Sequence, residues 1–541
     1  MISRSGFTLF ITIAILVFWG NDSVSLWDQD ESAYAGFARN MLQTGDWLIP
    51  EFTWSDIHRK PPLHFWHIAA FQSLFGEHHW VVRLSSALYI LFTVALAVLI
   101  SQSVLGREIR YPIRSAAVLA TSFLVLAIGK VAVTDATLLF YSSLCGWSLI
   151  QTARMREKKW VWMFWASFAL ALLVKGPPIV LFTGIFVLQI AVFERSLKTV
   201  VRLQPWFFLP LALCPLLVWG WMAYQRDGGE FISWLIDWYV LKRVGGGVLG
   251  QTAPPGTHLL FILVSFIPYL AFIPAVVRMG VDAIKRKTDE RWMVYWFIAG
   301  WLIWEFSPSK LPAYTVVAHV PLAILIAAAS ETKKPTRWLI PVQTILLVSI
   351  SVALIAGVIV LDFNALQSWL LSAASVLGIV CIALGIRGLY TKNWKLYNRW
   401  LMGWFLIQAV FVLPVVDEVK DVTRDVAEIA YMNSHPESQV VIGNHFGHPP
   451  SLPYYLGSKF NNLFITQDLA AIDSISNGFH VTLILDERLS KSCNWLQGSN
   501  FITVEGMLTD RKDKARYYIA VKRHGRWLET NEIISDESVS M

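Results

Sequence analysis

Long apolar runs alternate with short polar connections as far as residue 416, and then the chain changes character. About thirteen runs approach the ~20 apolar residues that a bilayer-crossing helix needs. They lie near 5–22, 80–104, 113–130, 136–153, 160–175, 177–194, 205–224, 257–277, 291–307, 311–330, 337–361, 367–389 and 399–416. The first follows a short basic start at Arg4, and no small-x-small cleavage site comes after it. It therefore reads as a retained first helix rather than a leader. Hydropathy falls after Pro414. A helical stretch, Val422 to Ser434, and β-type runs at Gln439–Ile442, Val481–Leu485 and Tyr517–Val521 predict an α/β domain over 417–541.

The connections set the topology. With the N-terminus inside, alternate loops collect basic residues: Arg107, Arg110 and Arg114; Arg154, Arg156, Lys158 and Lys159; Arg195, Lys198 and Arg202. The pattern continues with Arg278, Lys285, Arg286, Lys287 and Arg291; Lys333, Lys334 and Arg337; Arg387, Lys392, Lys395 and Arg399. The short loops between them carry few, so the positive-inside rule holds throughout. Three pieces then fall on the outer face: a long loop 21–79, a Gly-rich loop 225–256 that reads as flexible, and the domain 417–541. Within the first loop, Tyr34, Phe37, Ala38, Met41 and Leu42 share one face of a helix over Ser32 to Thr44. This predicts an interfacial helix lying on the membrane.

Composition agrees. Hydrophobic residues make up 55% of the 541 and charged residues only 15%, against about 25% charged in soluble domains. The net charge of +7 is topology signal and gives no case for nucleic acid. Cys145, Cys214, Cys381 and Cys493 have neither CxxC nor metal-ligand spacing, so no disulfide framework or cysteine metal site is expected.

The informative charges are those near membrane depth on the outer side, where ionisable groups usually line a cavity. They are Lys130, Asp135, Lys175 and Lys310, with Asp28, Asp30, Glu31, Arg59 and Lys60 in the long loop. Lys60-Pro61-Pro62, Lys175-Gly176-Pro177-Pro178 and Ser307-Pro308-Ser309-Lys310-Leu311-Pro312 each set a lysine beside residues that break a helix. A charge there also caps a helix end or snorkels to headgroups, but the repeated breaks favour a pocket. Such a pocket suits transfer from a lipid phosphate. Cations bind the anionic leaving group, and a carboxylate of the Asp28-Gln29-Asp30-Glu31 cluster orients or deprotonates an acceptor hydroxyl. The sequence leaves a divalent ion between carboxylates open. His58, His64 and His67 read as packing residues before metal ligands.

Three segments carry a resemblance: Asp30-Glu31-Ser32-Ala33-Tyr34; Met41-Leu42-Gln43-Thr44-Gly45-Asp46-Trp47-Leu48-Ile49-Pro50; and Lys60-Pro61-Pro62-Leu63 with Trp66. They resemble the first periplasmic loop of bacterial polyprenyl-phosphate-dependent glycosyltransferases of GT-C type. That family includes the lipid A aminoarabinose transferases and relatives of the protein O-mannosyltransferases. Thr134-Asp135, Lys175-Gly176 and Phe306 to Tyr314 match later motifs, and the resemblance covers about residues 7–330. It implies an α-helical integral membrane protein of GT-C type with about thirteen spans and a periplasmic C-terminal α/β domain. The implied activity is inverting sugar transfer from an undecaprenyl-phosphate carrier to lipid A, another envelope glycolipid or a protein, at the periplasmic face of the inner membrane. Asp30 is implied as the central carboxylate, with Glu31 and Asp135 beside it. Arg59, Lys60, Lys175, Lys310 and Tyr314 are implied at the carrier phosphate, and Asp28, Tyr34 and Ser309 at the substrate. Two positions depart from the pattern. Ala33 stands where the family often has Arg, and Arg59 where it often has Glu, which weakens the case for a metal. The alternatives are a lipid or sugar transporter, for which the halves show no repeat, and a non-catalytic scaffold.

Overall fold

The structure is a computed structural model. It describes all residues except 1–3, 28–29, 107–109, 243–251, 361–364, 421, 444–449, 458, 461, 494, 496–500, 508–513 and 534–541. The chain divides into two compact units. One comprises Met1–Asn21, Asp46–Ile49 and Lys60–Leu413; the other comprises Asp22–Gly45, Pro50–Arg59 and Pro414–Met541.

The first unit is helical. In order come α1 (Arg4–Phe18), then, after α2 (Asp30–Thr44) of the other unit, α3 (Leu63–Phe75), α4 (His79–Leu105), α5 (Arg110–Ala120) and α6 (Phe123–Lys130). They continue with α7 (Thr134–Arg154), α8 (Lys158–Lys175), α9 (Pro177–Phe193), α10 (Lys198–Leu203) and α11 (Pro205–Asp227). Later helices span Thr257–Ser265, Ile273–Arg286, Arg291–Glu305, His319–Thr332, Leu339–Val360, Ala365–Tyr390 and Trp394–Lys420. Among the described residues, five stretches are long and apolar enough to cross a membrane alone: His79–Leu105, Pro205–Asp227, Ile267–Arg286, Pro312–Thr332 and Ala365–Tyr390. The chain is a multi-pass membrane protein. Each of the expected spans meets a helix or a broken pair, but fewer helices than expected pass on length and apolarity alone. Helix α7 shows why: Ser142, Ser143, Ser148 and Gln151 are buried inside the bundle, so the helix has no need to be apolar all round.

Two expected spans are broken. The run 113–130 bends by 66° between α5 and α6. The groups freed at the break find partners nearby: the Thr121 hydroxyl donates to the Ala117 carbonyl at 2.6 Å, and Ser265 Oγ accepts from the Leu124 amide at 3.1 Å. The run 257–277 is not one helix. Thr257–Ser265 gives way to a 3-10 turn, Ile267–Phe272, before Ile273–Arg286. Pro268 and Pro274 start the two new pieces, having no amide hydrogen to continue the old ones. The loop expected over 225–256 begins as structure: α11 runs to Asp227 and a helix follows at Glu230–Ile236. Gly245, Gly246 and Gly247 lie outside the described residues.

The second unit is an α/β domain built on one sheet of β1 (Gln439–Gly443), β2 (Leu463–Ile465), β3 (Val481–Asp486), β4 (Ile502–Met507), β5 (Lys514–Arg523) and β6 (Arg526–Trp527). Strand order is β2-β1-β3-β5-β4, with β6 on β5. β1 pairs parallel with β2 and β3, while β5 is antiparallel to β3, β4 and β6. Every residue of β3 is buried, as a strand covered on both faces requires. Val440, Ile442, Ile484, Ile519 and Val521 face one core, and Val441, Leu483, Leu485 and Ala520 the other. Here the period-2 alternation is read by two layers.

Helix α2 (Asp30–Thr44) belongs to this unit. It is buried almost all round, from Glu31 to Arg39 and at Met41, rather than along one stripe. The reason is local. Arg39 lies 3.7 Å over the Tyr454 ring and donates to the Tyr454 carbonyl at 2.5 Å. The Leu26 amide donates to Tyr455 Oη at 2.9 Å. Phe52 packs edge-on to Tyr454 and covers Gly36 so closely that a Cβ there would sit 2.2 Å from the Phe52 ring.

Candidate functional site

The candidate residues fall into a carboxylate group on α2 and a lysine-rich group at one end of the helical unit. In the first group, Asp30 opens α2, where the helix N-terminus favours a negative charge. Tyr34, one turn on, donates its hydroxyl to Asp30 Oδ1 at 2.7 Å, and His58 Nδ1 stands 3.6 Å from the same oxygen. The Asp30 side chain is nevertheless 47% exposed. Glu31 is buried and turns Oε2 back to the Trp27 amide at 3.0 Å, which caps the helix. Arg59 pairs with Asp56. Asp28 lies outside the described residues.

In the second group, Asp135 sits in the first turn of α7 and Lys175 is the last residue of α8. Each charge therefore complements the helix dipole at its own end. Three local features fix this end. Ser86 Oγ bonds both the amide and the carbonyl of Val133, holding the extended link between α6 and α7. Gly176 ends α8 at φ +71°, a left-handed conformation that costs glycine little. Pro177 then starts α9, where no amide hydrogen is needed. The result is a Lys175 Nζ to Asp135 Oδ1 ion pair of 2.7 Å, with side chains 16% and 12% exposed. It lines a narrow cavity with Phe182, Trp304 and Tyr314. Gly300 lets the other wall close, since a Cβ there would come 2.9 Å from the Ala318 amide nitrogen.

Lys310 follows the break after the helix Arg291–Glu305. Its amine donates to the carbonyls of Trp304 at 3.0 Å and Glu305 at 2.8 Å, and lies 3.8 Å from Glu305 Oε2. Glu305, which sequence reasoning missed, also accepts from the amides of Gly256 and Leu259 and from Trp301 Nε1, each at 2.7 Å. One carboxylate thus caps the helix Thr257–Ser265 and neutralises the buried lysine. The available signal was a lone acid at the end of the apolar run 291–307. Tyr314 packs against Trp304 with ring centroids 4.8 Å apart and the planes tilted by 43°. Ser309 is buried with no partner for its hydroxyl among the described residues. Lys60, also buried, precedes α3. The ring of His64 on α3 lies 3.1 Å from Thr137 Oγ1, so α3 starts beside the first turn of α7.

The structure therefore brings together Asp30 with Tyr34 and His58, Asp135 with Lys175 and Tyr314, and Lys310 with Glu305. His58, His64 and His67 have separate neighbours: Asp30, Thr137 and Tyr89. Among the described residues no three His, Cys, Asp or Glu side chains converge as a metal site.

A helical bundle and a sheet domain are the architecture that the resemblance implied for a GT-C-type membrane protein. The expected resemblance is borne out by comparison with known proteins. A family profile described as "Dolichyl-phosphate-mannose-protein mannosyltransferase" matches residues 2–227. A protein of Pectobacterium atrosepticum named undecaprenyl phosphate-alpha-4-amino-4-deoxy-L-arabinose arabinosyl transferase is 26% identical over 61% of this chain. The chain covers 59% of that relative's length. A protein of the same name from Erwinia tasmaniensis is 24% identical, over 81% of this chain and 82% of the relative. The crystal structure of ArnT from Cupriavidus metallidurans bound to undecaprenyl phosphate superposes with a TM-score of 0.76 at 19% identity. That match covers 95% of this chain and 98% of that one, which establishes the shared fold.

Proposed function

We propose that the chain is an inverting glycosyltransferase that moves a sugar from undecaprenyl phosphate to a glycolipid of the bacterial envelope. The reaction would run at the periplasmic face of the inner membrane, a reading supported by the basic loops at the end opposite Lys175. The observation that carries the reading is the Asp135–Lys175 ion pair, held at 2.7 Å in a cavity between helix breaks. A buried pair of this kind costs more to desolvate than a surface pair returns, and it supplies a cation at the depth of a lipid phosphate. The names of the relatives make a 4-amino-pentose the first donor to try, and the lipid A resemblance makes lipid A the first acceptor.

The chemistry follows from the residues. Lys175 and Lys60 hold the carrier phosphate and stabilise the charge that it gains as the bond from the anomeric carbon to the phosphate oxygen breaks, while Lys310, held by the Trp304 and Glu305 carbonyls and the Glu305 carboxylate, orders its own helix break. Asp30 accepts the proton of the attacking acceptor hydroxyl. Tyr34 orients the Asp30 carboxylate by donating its hydroxyl to Oδ1. Asp135 holds the Lys175 amine at the cavity wall through their ion pair. Tyr314 and Ser309 line the substrate side of the same helix end. The product carrier leaves as a phosphate monoester.

Vesicles containing the purified chain, an undecaprenyl-phosphate-linked amino-pentose and lipid A test this reading. Covalent glycosylation of lipid A is expected. Passage of the sugar lipid across the vesicle wall without any transfer would replace the enzyme with a transporter.

A further inference from the structure

The far end of the same helices holds a second cavity. α8 runs 18 residues from Lys158 to Lys175, so its two ends are about 26 Å apart at 1.5 Å per residue. Between the α7–α8 turn and the segment that carries α10 lies a cavity of 870 Å³. Arg156, Lys158, Lys198 and Arg202 line it. The one carboxylate among its lining residues, Glu157, is engaged with Lys159 at 2.5 Å. Among the described residues none of the four lining cations has a carboxylate within ion-pair distance.

The cavity is built, not merely charged. Arg202 donates to the carbonyls of Thr152 at 3.0 Å and Ala153 at 2.8 Å, which pins its guanidinium at the C-terminus of α7. Trp165 Nε1 donates to the Leu203 carbonyl at 2.8 Å and fixes the end of α10. Against these cations stand large apolar side chains that face outward: Trp162, Leu197, Val201 and Phe207. The positive-inside rule accounts for basic residues in these loops. It does not account for a concave wall, nor for exposed aromatic and aliphatic side chains on its rim.

We infer that this cavity binds an anionic glycerophospholipid of the leaflet opposite the one that Lys175 faces. Its phosphate would sit among Arg156, Lys158 and Lys198, with its acyl chains along Trp162, Val201 and Phe207. Charge complementarity selects the anionic class, since a basic pocket between spans at headgroup depth is the environment that attracts such lipids. Four uncompensated cations favour a headgroup with two phosphates, as in cardiolipin, over one with a single phosphate. The rim residues Trp162 and Phe207 belong to α8 and α11, apolar helices of the bundle, so the occupant is a lipid rather than a soluble phosphate compound.

Native mass spectrometry of the purified full chain tests the assignment, with cardiolipin, phosphatidylglycerol and phosphatidylcholine offered at equal concentration. Cardiolipin adducts should exceed those of phosphatidylcholine by roughly ten-fold or more, each cation near a headgroup favouring the anionic lipid by roughly five-fold. The triple variant Arg156→Gln, Lys158→Gln, Lys198→Gln should lose that preference. Equal retention of the two lipids by the wild type would overturn the proposal, as would displacement of cardiolipin by millimolar inorganic phosphate. A photoactivatable cardiolipin on the unmodified protein gives a second reading that does not depend on the folding of the variant. Cross-links should map to 155–162 and 196–207, and labelling confined to other spans would refute the site.

Discussion

The Arg39 guanidinium stacks 3.7 Å over the ring of Tyr454 and bonds that residue's carbonyl, joining the helix that begins at Asp30 to the short helix Ser451–Gly457, more than four hundred positions later in the chain. The proposed catalytic carboxylate is therefore positioned by the C-terminal domain. Arg39→Ala leaves a buried carbonyl without its charged donor and removes the stacking contact. The expected cost to the second unit is about 2–3 kcal/mol. Amide hydrogen exchange over 30–44 should speed up, and turnover should fall with it. Arg39→Lys should recover little, since an ammonium cannot stack as a planar guanidinium does. Unchanged exchange in the alanine variant would show that α2 is held by other means.

Gly36 and Phe52 make a reciprocal case. A methyl group on Gly36 would overlap the Phe52 ring, and overpacking of this kind costs about 1–3 kcal/mol. Gly36→Ala alone should lower the midpoint of thermal unfolding. Adding Phe52→Ala should recover part of the loss, because the second change makes the room that the first one needs. Additive losses in a double-mutant cycle would contradict the contact.

The Asp135–Lys175 pair should behave as a coupled unit. Removing either partner leaves an uncompensated charge in a mostly buried place, which typically costs about 3–5 kcal/mol. Asp135→Asn and Lys175→Met should each destabilise the helical unit, while the double variant should be more stable than either single one. Activity should be lost in all three. Thermal unfolding in detergent and the transfer assay separate the two effects, and a double variant less stable than both singles would contradict the pairing.

Acid should weaken the C-terminal domain through its histidines. His435 and His480 stack with ring centroids 3.8 Å apart, and His524 stands 4.9 Å from His480. Desolvation, then the neighbouring charges of His435 and His524, hold the pKa of His480 below its usual 6.5. The folded domain thus binds its proton less readily than the unfolded chain. The stability contribution is complete above about pH 6.5 and is lost as pH falls through that value towards the lowered folded pKa. The protection of β3 amides, taken relative to their intrinsic exchange rates, should fall between pH 7 and pH 5, and His480→Asn should flatten that slope. A slope that persisted in the variant would assign the acid sensitivity elsewhere.

Much of this architecture was legible in the sequence because a bilayer demands it: runs such as 80–104 and 367–389 admit no other reading. The motif Asp30 to Tyr34 was legible through the family resemblance, whereas the helical spacing was read only from Ser32 onward and the helix starts at Asp30. The burial of α2 was not, since its partners Tyr454 and Tyr455 are distant in sequence, and an amphipathic helix on a membrane shows the same stripe. Glu305 was hidden by the apolar run it ends, and its role appears only when Lys310 and the Gly256 amide fold onto it. The strand Ile502–Met507 escaped notice because Thr503, Glu505 and Gly506 blur its alternation. Its pairing with β5 supplies the stability that local propensity lacks.

The account stands or falls on Asp30 as the group that accepts the acceptor's proton. Single-turnover transfer of a radiolabelled sugar from undecaprenyl phosphate to lipid A, by purified wild type and Asp30→Asn at matched folding, measures this directly. The isosteric change should leave donor binding within about three-fold and slow transfer by at least about a hundred-fold, the usual range for a lost general base. Transfer by Asp30→Asn at the wild-type rate would contradict it.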